Sequence, residues 1–256
     1  MVKTELKRAI FTKSFLSACG IAFFMLMIGG YQYIEGFLGG YTASGVWVDK
    51  YIFSLSSGRT SILCGFVPIV VVIPYVLSYR QERDSGFRQL MILKGTRRAY
   101  VSAKLLAVAC SGFLSMFLSN LCWLLICCFC FGTGRIINPR ADFFLEALYE
   151  RSPFGYGMIH VLNVGMVGAV FALLALGLTA VIRNRYLAVL LPFCYGVFSA
   201  AILNRYWEAL NAIGLVSIEL PRDGSYGYGT MLLYDLVLAV IGCVLFVGGD
   251  RFAGKA

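Results

Sequence analysis

Apolar residues in this chain fall in long runs that carry almost no charge. Twenty uncharged residues separate Arg59 from Arg80, thirty separate Lys104 from Arg135, and thirty-one separate Arg151 from Arg183. Ser14 to Ile34 is uncharged, Arg185 and Arg205 enclose nineteen uncharged residues, and the stretch 224–249 is broken only by Asp235. A helix rises about 1.5 Å per residue and a bilayer's hydrocarbon core is about 30 Å thick, so about 20 apolar residues suffice to cross it. The pattern predicts six spans, at about 14–34, 60–79, 106–131, 158–182, 186–203 and 231–248. These runs are continuously apolar rather than alternating with period two, which argues against a transmembrane barrel. The expected fold class is all-α, a helical bundle in one transmembrane domain over 1–256.

Composition narrows the function classes. The chain is 59% hydrophobic and only 14% charged, against about 45–50% and about 25% in soluble domains. Its mean hydropathy is +0.79. Disorder, collagen and disulfide-scaffold readings are excluded, and the largest segment between spans, 204–230, is too small for a nucleotide-binding domain, protease or kinase. The formal charge of +9 is mostly topology. Fifteen Lys and Arg fall in the N-terminus, the 80–105 loop, the 183–185 link and the C-terminus, against seven in the other loops. The positive-inside rule then places both termini and the 80–105 loop in the cytoplasm. Basic residues spread over juxtamembrane positions give no nucleic-acid surface.

Several chemical signals lead nowhere. Leu16-Ser17-Ala18-Cys19 matches a lipoprotein-type cleavage pattern, yet Lys13 precedes it directly and the apolar run continues to Tyr33, so a retained first helix is expected. Cys127 and Cys130 have C-x-x-C spacing inside an apolar run, with no second Cys or His pair to complete a zinc site, and read as packing thiols. Gly249 to Ala256 resembles a phosphate-binding loop but ends in Ala, and no strand precedes it nor helix follows it. His160 lacks an H-E-x-x-H partner. Asp235 is the one acid placed within a span, so both are kept as polar groups that line a pathway or sit near a span end. Pro68 and Pro74 are expected to bend the second span.

The most informative segment is the loop from Tyr79 to Tyr100. Asp84 can cap a short helix, Lys94 falls in its last turn, and Gly95 can supply a left-handed stop. Phe87, Leu90, Met91 and Lys94 then share a face, and Thr96 can cap the next helix, which runs through Tyr100 and Lys104 into the third span. Such a helix either lies on the membrane surface or docks in a partner's groove. Val2 to Lys13 places Leu6, Ile10 and Val2 on one face, with Lys3, Lys7 and Arg8 around it, as an interfacial helix over 2–13 would; a simple positive flank to the first span is an equal reading.

Glu82, Gly86, the Leu90 to Leu93 run, Lys94-Gly95, Arg97-Arg98, Tyr100 and Lys104 together resemble the coupling-helix region of six-span, type-two ATP-binding cassette (ABC) exporter permeases. Residue-level likeness covers about 25 residues; span count, length and cytoplasmic termini agree along the chain. The resemblance implies a second permease subunit, identical or related, and two cytosolic ATPase subunits that bind ATP and Mg, with no cofactor on this chain. It implies ATPase coupling through Glu82, Asp84, Gly86, Phe87, Leu90, Met91, Lys94, Arg97 and Arg98. It also implies short re-entrant helices in 204–230, for which interfacial anchoring by Tyr206 and Trp207 is an equal reading.

The expected function is the membrane-spanning subunit of an ABC exporter in a bacterial cell membrane, not an enzyme by itself. Small loops favour a peptide, antimicrobial or drug-like amphiphile as substrate. The alternative is an ATP-independent polytopic membrane protein, a secondary transporter or a membrane-embedded enzyme. Against a carrier stand the few charges within spans; against an enzyme stands the lack of an acid–base pair at usable spacing.

Overall fold

A computed structural model of the chain describes residues 2–39, 46–56, 62–93, 96–131, 145–182, 184–218 and 227–253. In chain order the helices are α1 (Val2–Ile10), α2 (Lys13–Gly29), α3 (Tyr31–Leu38), α4 (Trp47–Ser56), α5 (Ile62–Val70), α6 (Ser78–Asp84) and α7 (Phe87–Leu93). They continue as α8 (Arg97–Cys130), α9 (Glu146–Arg151), α10 (Pro153–Val181), α11 (Arg185–Ala201), α12 (Gly214–Ser217) and α13 (Tyr228–Ala253), with two short 3₁₀ turns between α11 and α12. There is no strand among the described residues. The protein is all-helical, and Arg97–Cys130, Pro153–Val181, Tyr186–Arg205 and Tyr228–Arg251 are long and apolar enough to cross a membrane. Four such helices mark a membrane-spanning protein. A fifth span is formed if α1 and α2, bent by 51°, are counted together. α1 carries Lys3, Glu5, Lys7 and Arg8, and its axis is turned by 51° from that of α2.

Local chemistry explains most of the helix starts. Thr12 and Thr96 accept hydrogen bonds from the Phe15 and Ala99 amides, each at 3.2 Å, and so cap α2 and α8. Ser152 accepts from the Gly155 amide, and Pro153 takes the first position of α10, where its missing N–H costs no bond. Asn184 caps α11. α8 begins at Thr96 as expected and is one helix from the loop through the predicted third span.

The predicted spans at 14–34 and 60–79 are not single helices. The first breaks at Gly30, where a Cβ would meet the Trp123 ring, and resumes as α3. The second ends as α-helix at Val70, turns through 71–77 and resumes as α6. Pro68 and Pro74 account for this break, because each removes a donor and crowds the preceding turn.

α10 is the axis of the bundle. Its apolar window is 72% buried, against 39% or less in the other three long helices. α8 and α13 pack along it on separate faces, and glycines let the backbones close in. A Cβ on Gly112 of α8 would lie 2.8 Å from the Gly168 carbonyl oxygen of α10; one on Gly242 of α13 would lie 2.7 Å from the Leu173 carbonyl oxygen. Contacts of 112 with 168 and 124 with 157 make α8 and α10 antiparallel. Contacts of 173 with 242 and 180 with 249 make α10 and α13 parallel. The starts of α8 and α11 and the ends of α10 and α13 therefore gather at one end, beside α1, α6 and α7. This is the basic end.

Candidate functional site

The loop that carries the predicted coupling helix does form a helix pair, with a different cap. Asp84 ends α6 and pairs with Arg80 at 3.3 Å, so it does not cap α7. The chain reverses at Gly86, whose φ of +73° is reached at no steric cost only by glycine, and its carbonyl accepts from the Gln89 amide. Lys94 and Gly95 lie outside the described residues. α7 projects Leu90 and Leu93, 56% and 82% exposed. Phe87 is partly covered by the Arg8 guanidinium, 5.3 Å from its ring centre, and Met91 leans inward against the core. The face predicted from Phe87, Leu90 and Met91 is thus split, because Arg88 is buried and fixes the rotation of the helix.

Beneath α7 lie two buried charge clusters. In the first, Lys104 of α8 is fully buried and reaches Glu82 at 2.8 Å and Glu5 at 3.2 Å. Tyr75 donates to Glu5 at 2.7 Å and Tyr100 to Glu82 at 2.8 Å, while Arg8 contacts both carboxylates. In the second, Asp250 of α13 is fully buried. It accepts from Arg88 of α7 and Arg97 of α8, each at 2.7 Å, and from the Tyr79 hydroxyl at 3.1 Å. Buried charges persist only when paired and hydrogen-bonded, and here each carboxylate has at least three donors. Two acids balance two bases in the first cluster; the second carries one more base than acid.

The resemblance implies that Glu82, Arg97 and Arg98 face an ATPase partner. Glu82 is instead buried within this chain and Arg97 is tied to Asp250. Arg98 is exposed and has no ion pair among the described residues. Glu5, Arg88 and Asp250 were missed. A carboxylate in the last turn of a helix opposes the helix dipole, so Asp250 depends on the cations that face it. In α1 the buried residues are Glu5 and Ala9, not the predicted apolar stripe, and Val2 is exposed.

Burial alone pushes the Glu5 carboxyl up, but Lys104, the hydrogen bonds from Tyr75 and Lys104, and Arg8 together hold it below the ordinary value of 4.5. A carboxyl lowered on folding stabilises above its unfolded pKa, and that contribution is lost as pH falls through the folded value. Thermal unfolding in detergent is expected to move to lower temperature as pH drops below about 4.5, and Glu5→Gln to make that decline shallower. An unchanged pH profile in Glu5→Gln would detach Glu5 from acid stability.

The other two predicted polar residues lie apart from these clusters. His160 packs edge-on to Tyr156, and neither ring nitrogen has a hydrogen-bond partner among the described residues. Asp235 is buried in α13, with one carboxylate oxygen unpartnered, and neighbours Tyr228 and Tyr234. No hydrogen bond or ion pair joins His160 to Asp235 among the described residues. Near them the 203–218 segment tucks against the bundle: Asn163 donates to the Leu215 carbonyl at 2.6 Å and Tyr234 to that of Leu210 at 3.3 Å. Among the described residues no three His, Cys, Asp or Glu side chains converge as a metal site would require.

The acids and bases of the two clusters are held in mutual pairs, and apart from Arg8–Glu5 within α1 each pair joins two different helices. Comparison with family models, curated proteins and solved structures finds no match.

Proposed function

We propose that this chain is the membrane-spanning permease subunit of an ABC exporter, paired with a second permease and driven by two cytosolic ATPase subunits. The observation that carries the reading is α7: it turns Leu90 and Leu93 outward while Arg88 on its opposite side grips Asp250 of α13. A helix docked in an ATPase cleft through those leucines would shift when ATP closes the ATPase pair. The ion pairs would pass that shift to α8 and α13, and through α6 to α1. ATP and Mg belong to the partner; this chain supplies the lever and the pathway. Peptides, antimicrobials and drug-like amphiphiles are the proposed substrates, because the pathway would be lined by apolar helices with few charges.

Docking rests on few side chains, and buried anchors carry most of the energy of such contacts. Leu90→Asp is expected to remove on the order of 1–3 kcal/mol of contact, weakening ATPase retention several-fold or more. Co-purification and substrate-stimulated ATP hydrolysis measure this, with membrane insertion checked separately. A correctly inserted Leu90→Asp protein that keeps both would refute the coupling role. Orientation has its own check: reporters fused after Lys94 and after Ala256 should read cytoplasm, and one within 40–55 should read outside. An external reading after Lys94 would put α7 out of reach of any cytosolic ATPase.

A further inference from the structure

At the basic end, a groove of about 410 Å³ opens between the start of α8 and the end of α13. It is lined by Arg97, Arg98 and Arg251, which stand near the helix ends, and by Val101, Ser102, Leu105 and Val247, one or two turns further along the helices. The order follows from helix spacing. On α8, Arg97, Val101 and Leu105 are four residues apart on one face; on α13, Val247 stands one turn inside Arg251. Both walls therefore grade from guanidinium to aliphatic in the direction that runs into the membrane. Arg97 is already matched by Asp250, but Arg98 and Arg251 are exposed and have no ion pair among the described residues.

We infer that this groove holds an anionic phospholipid, its phosphate between Arg98 and Arg251 and an acyl chain along Val101, Leu105 and Val247. The charges match a phosphate, and guanidinium forks suit its oxygens. The depth order matches a lipid rather than a free ion, since an inorganic anion would leave the aliphatic half of the groove unused. Basic pockets between membrane helices on the cytoplasmic side are a general setting for such headgroups. The lipid would wedge α8 against α13 beside the Arg97–Asp250 bridge. Occupancy rests on the bundle alone and needs no ATPase.

The test uses the purified full-length chain in detergent, without any ATPase, titrated with phosphatidylglycerol, phosphatidylcholine or inorganic phosphate and read by native mass spectrometry. Phosphatidylglycerol is expected to bind more tightly than phosphatidylcholine, and R98Q/R251Q to lower its affinity about tenfold to thirtyfold. V247W, which fills the deep end and keeps every charge, is expected to lower it as well. K3Q/K7Q, on α1, should change it less than about twofold. Thermal unfolding of each lipid-free variant identifies any that fail to fold, and Arg97 is left intact because it holds Asp250. Equal binding of phosphatidylglycerol by R98Q/R251Q and wild type overturns the site. Phosphate displacing the lipid at equal concentration, or V247W binding as wild type, overturns the lipid assignment. A permease that loses its ATPase yet keeps selective lipid binding would sink the coupling role and leave this site standing.

Discussion

Replacing Lys104 with methionine is expected to destabilise the folded chain by about 3–5 kcal/mol, the usual penalty for stripping one partner from a buried ion pair. The side chain is fully buried, and its ammonium lies within 3.2 Å of both Glu5 and Glu82, closer to the pair than any other cation among the described residues. Methionine fills much of the same volume, so the loss is electrostatic rather than a cavity. Two carboxylates would then remain beneath α7, with the half-exposed Arg8 as their one remaining ion-pair partner among the described residues. They would have to take up protons or draw in water. The triple replacement Lys104→Met, Glu5→Gln, Glu82→Gln should recover most of the loss, since uncharged partners of similar shape are often nearly neutral. Unfolding in mixed detergent across the set of variants gives the coupling energy. A triple variant no more stable than Lys104→Met would show that packing, not charge, holds this corner.

Gly242→Leu is expected to be comparably damaging, on the order of 3 kcal/mol, because it overpacks a contact made by backbone on both sides. Even a Cβ there would lie 2.7 Å from the Leu173 carbonyl group and the Leu174 nitrogen, which have no rotamer to yield with. α13 would be levered off α10, and with it the Asp250 end of the second cluster. Gly248 on the same helix has nothing within 4 Å of such a Cβ, so Gly248→Ala should be neutral or slightly stabilising. Helix-specific crosslinking between α10 and α13, with unfolding in detergent, reads both. Equal effects from the two positions would mean that the glycine contact does not set the helix spacing.

Much of the bundle was legible because lipid leaves a coarse signature: charge-free runs of twenty to thirty residues mark helices whatever they pack against. The Thr96 cap was legible too, since capping is a local bond. The broken second span was half visible, in that prolines announce a bend but not that helix gives way to turns at 71–77. Asp84 was misread as the cap of α7 because aspartate is a good cap in general, while Gly86, two residues on, supplies the reversal. The charge clusters were illegible for a different reason. Arg88 and Asp250 are 162 positions apart and Glu5 and Lys104 are 99 apart, so no local pattern links them. Each looked like an ordinary juxtamembrane charge until the fold brought its partner.

The Arg97–Asp250 bridge spans 153 positions, which sets an order of events during synthesis. At about 5–20 residues per second, the arginines of α7 and α8 emerge roughly eight to thirty seconds before their carboxylate does. Until then the guanidiniums face water and lipid headgroups, and α7 has nothing to hold Arg88 in place. α7 therefore gains its Arg88–Asp250 pairing only after α13 has been made. A nascent chain that has not yet reached α13 lacks the carboxylate that pairs with Arg88, and so lacks that anchor for the register in which Leu90 and Leu93 are presented.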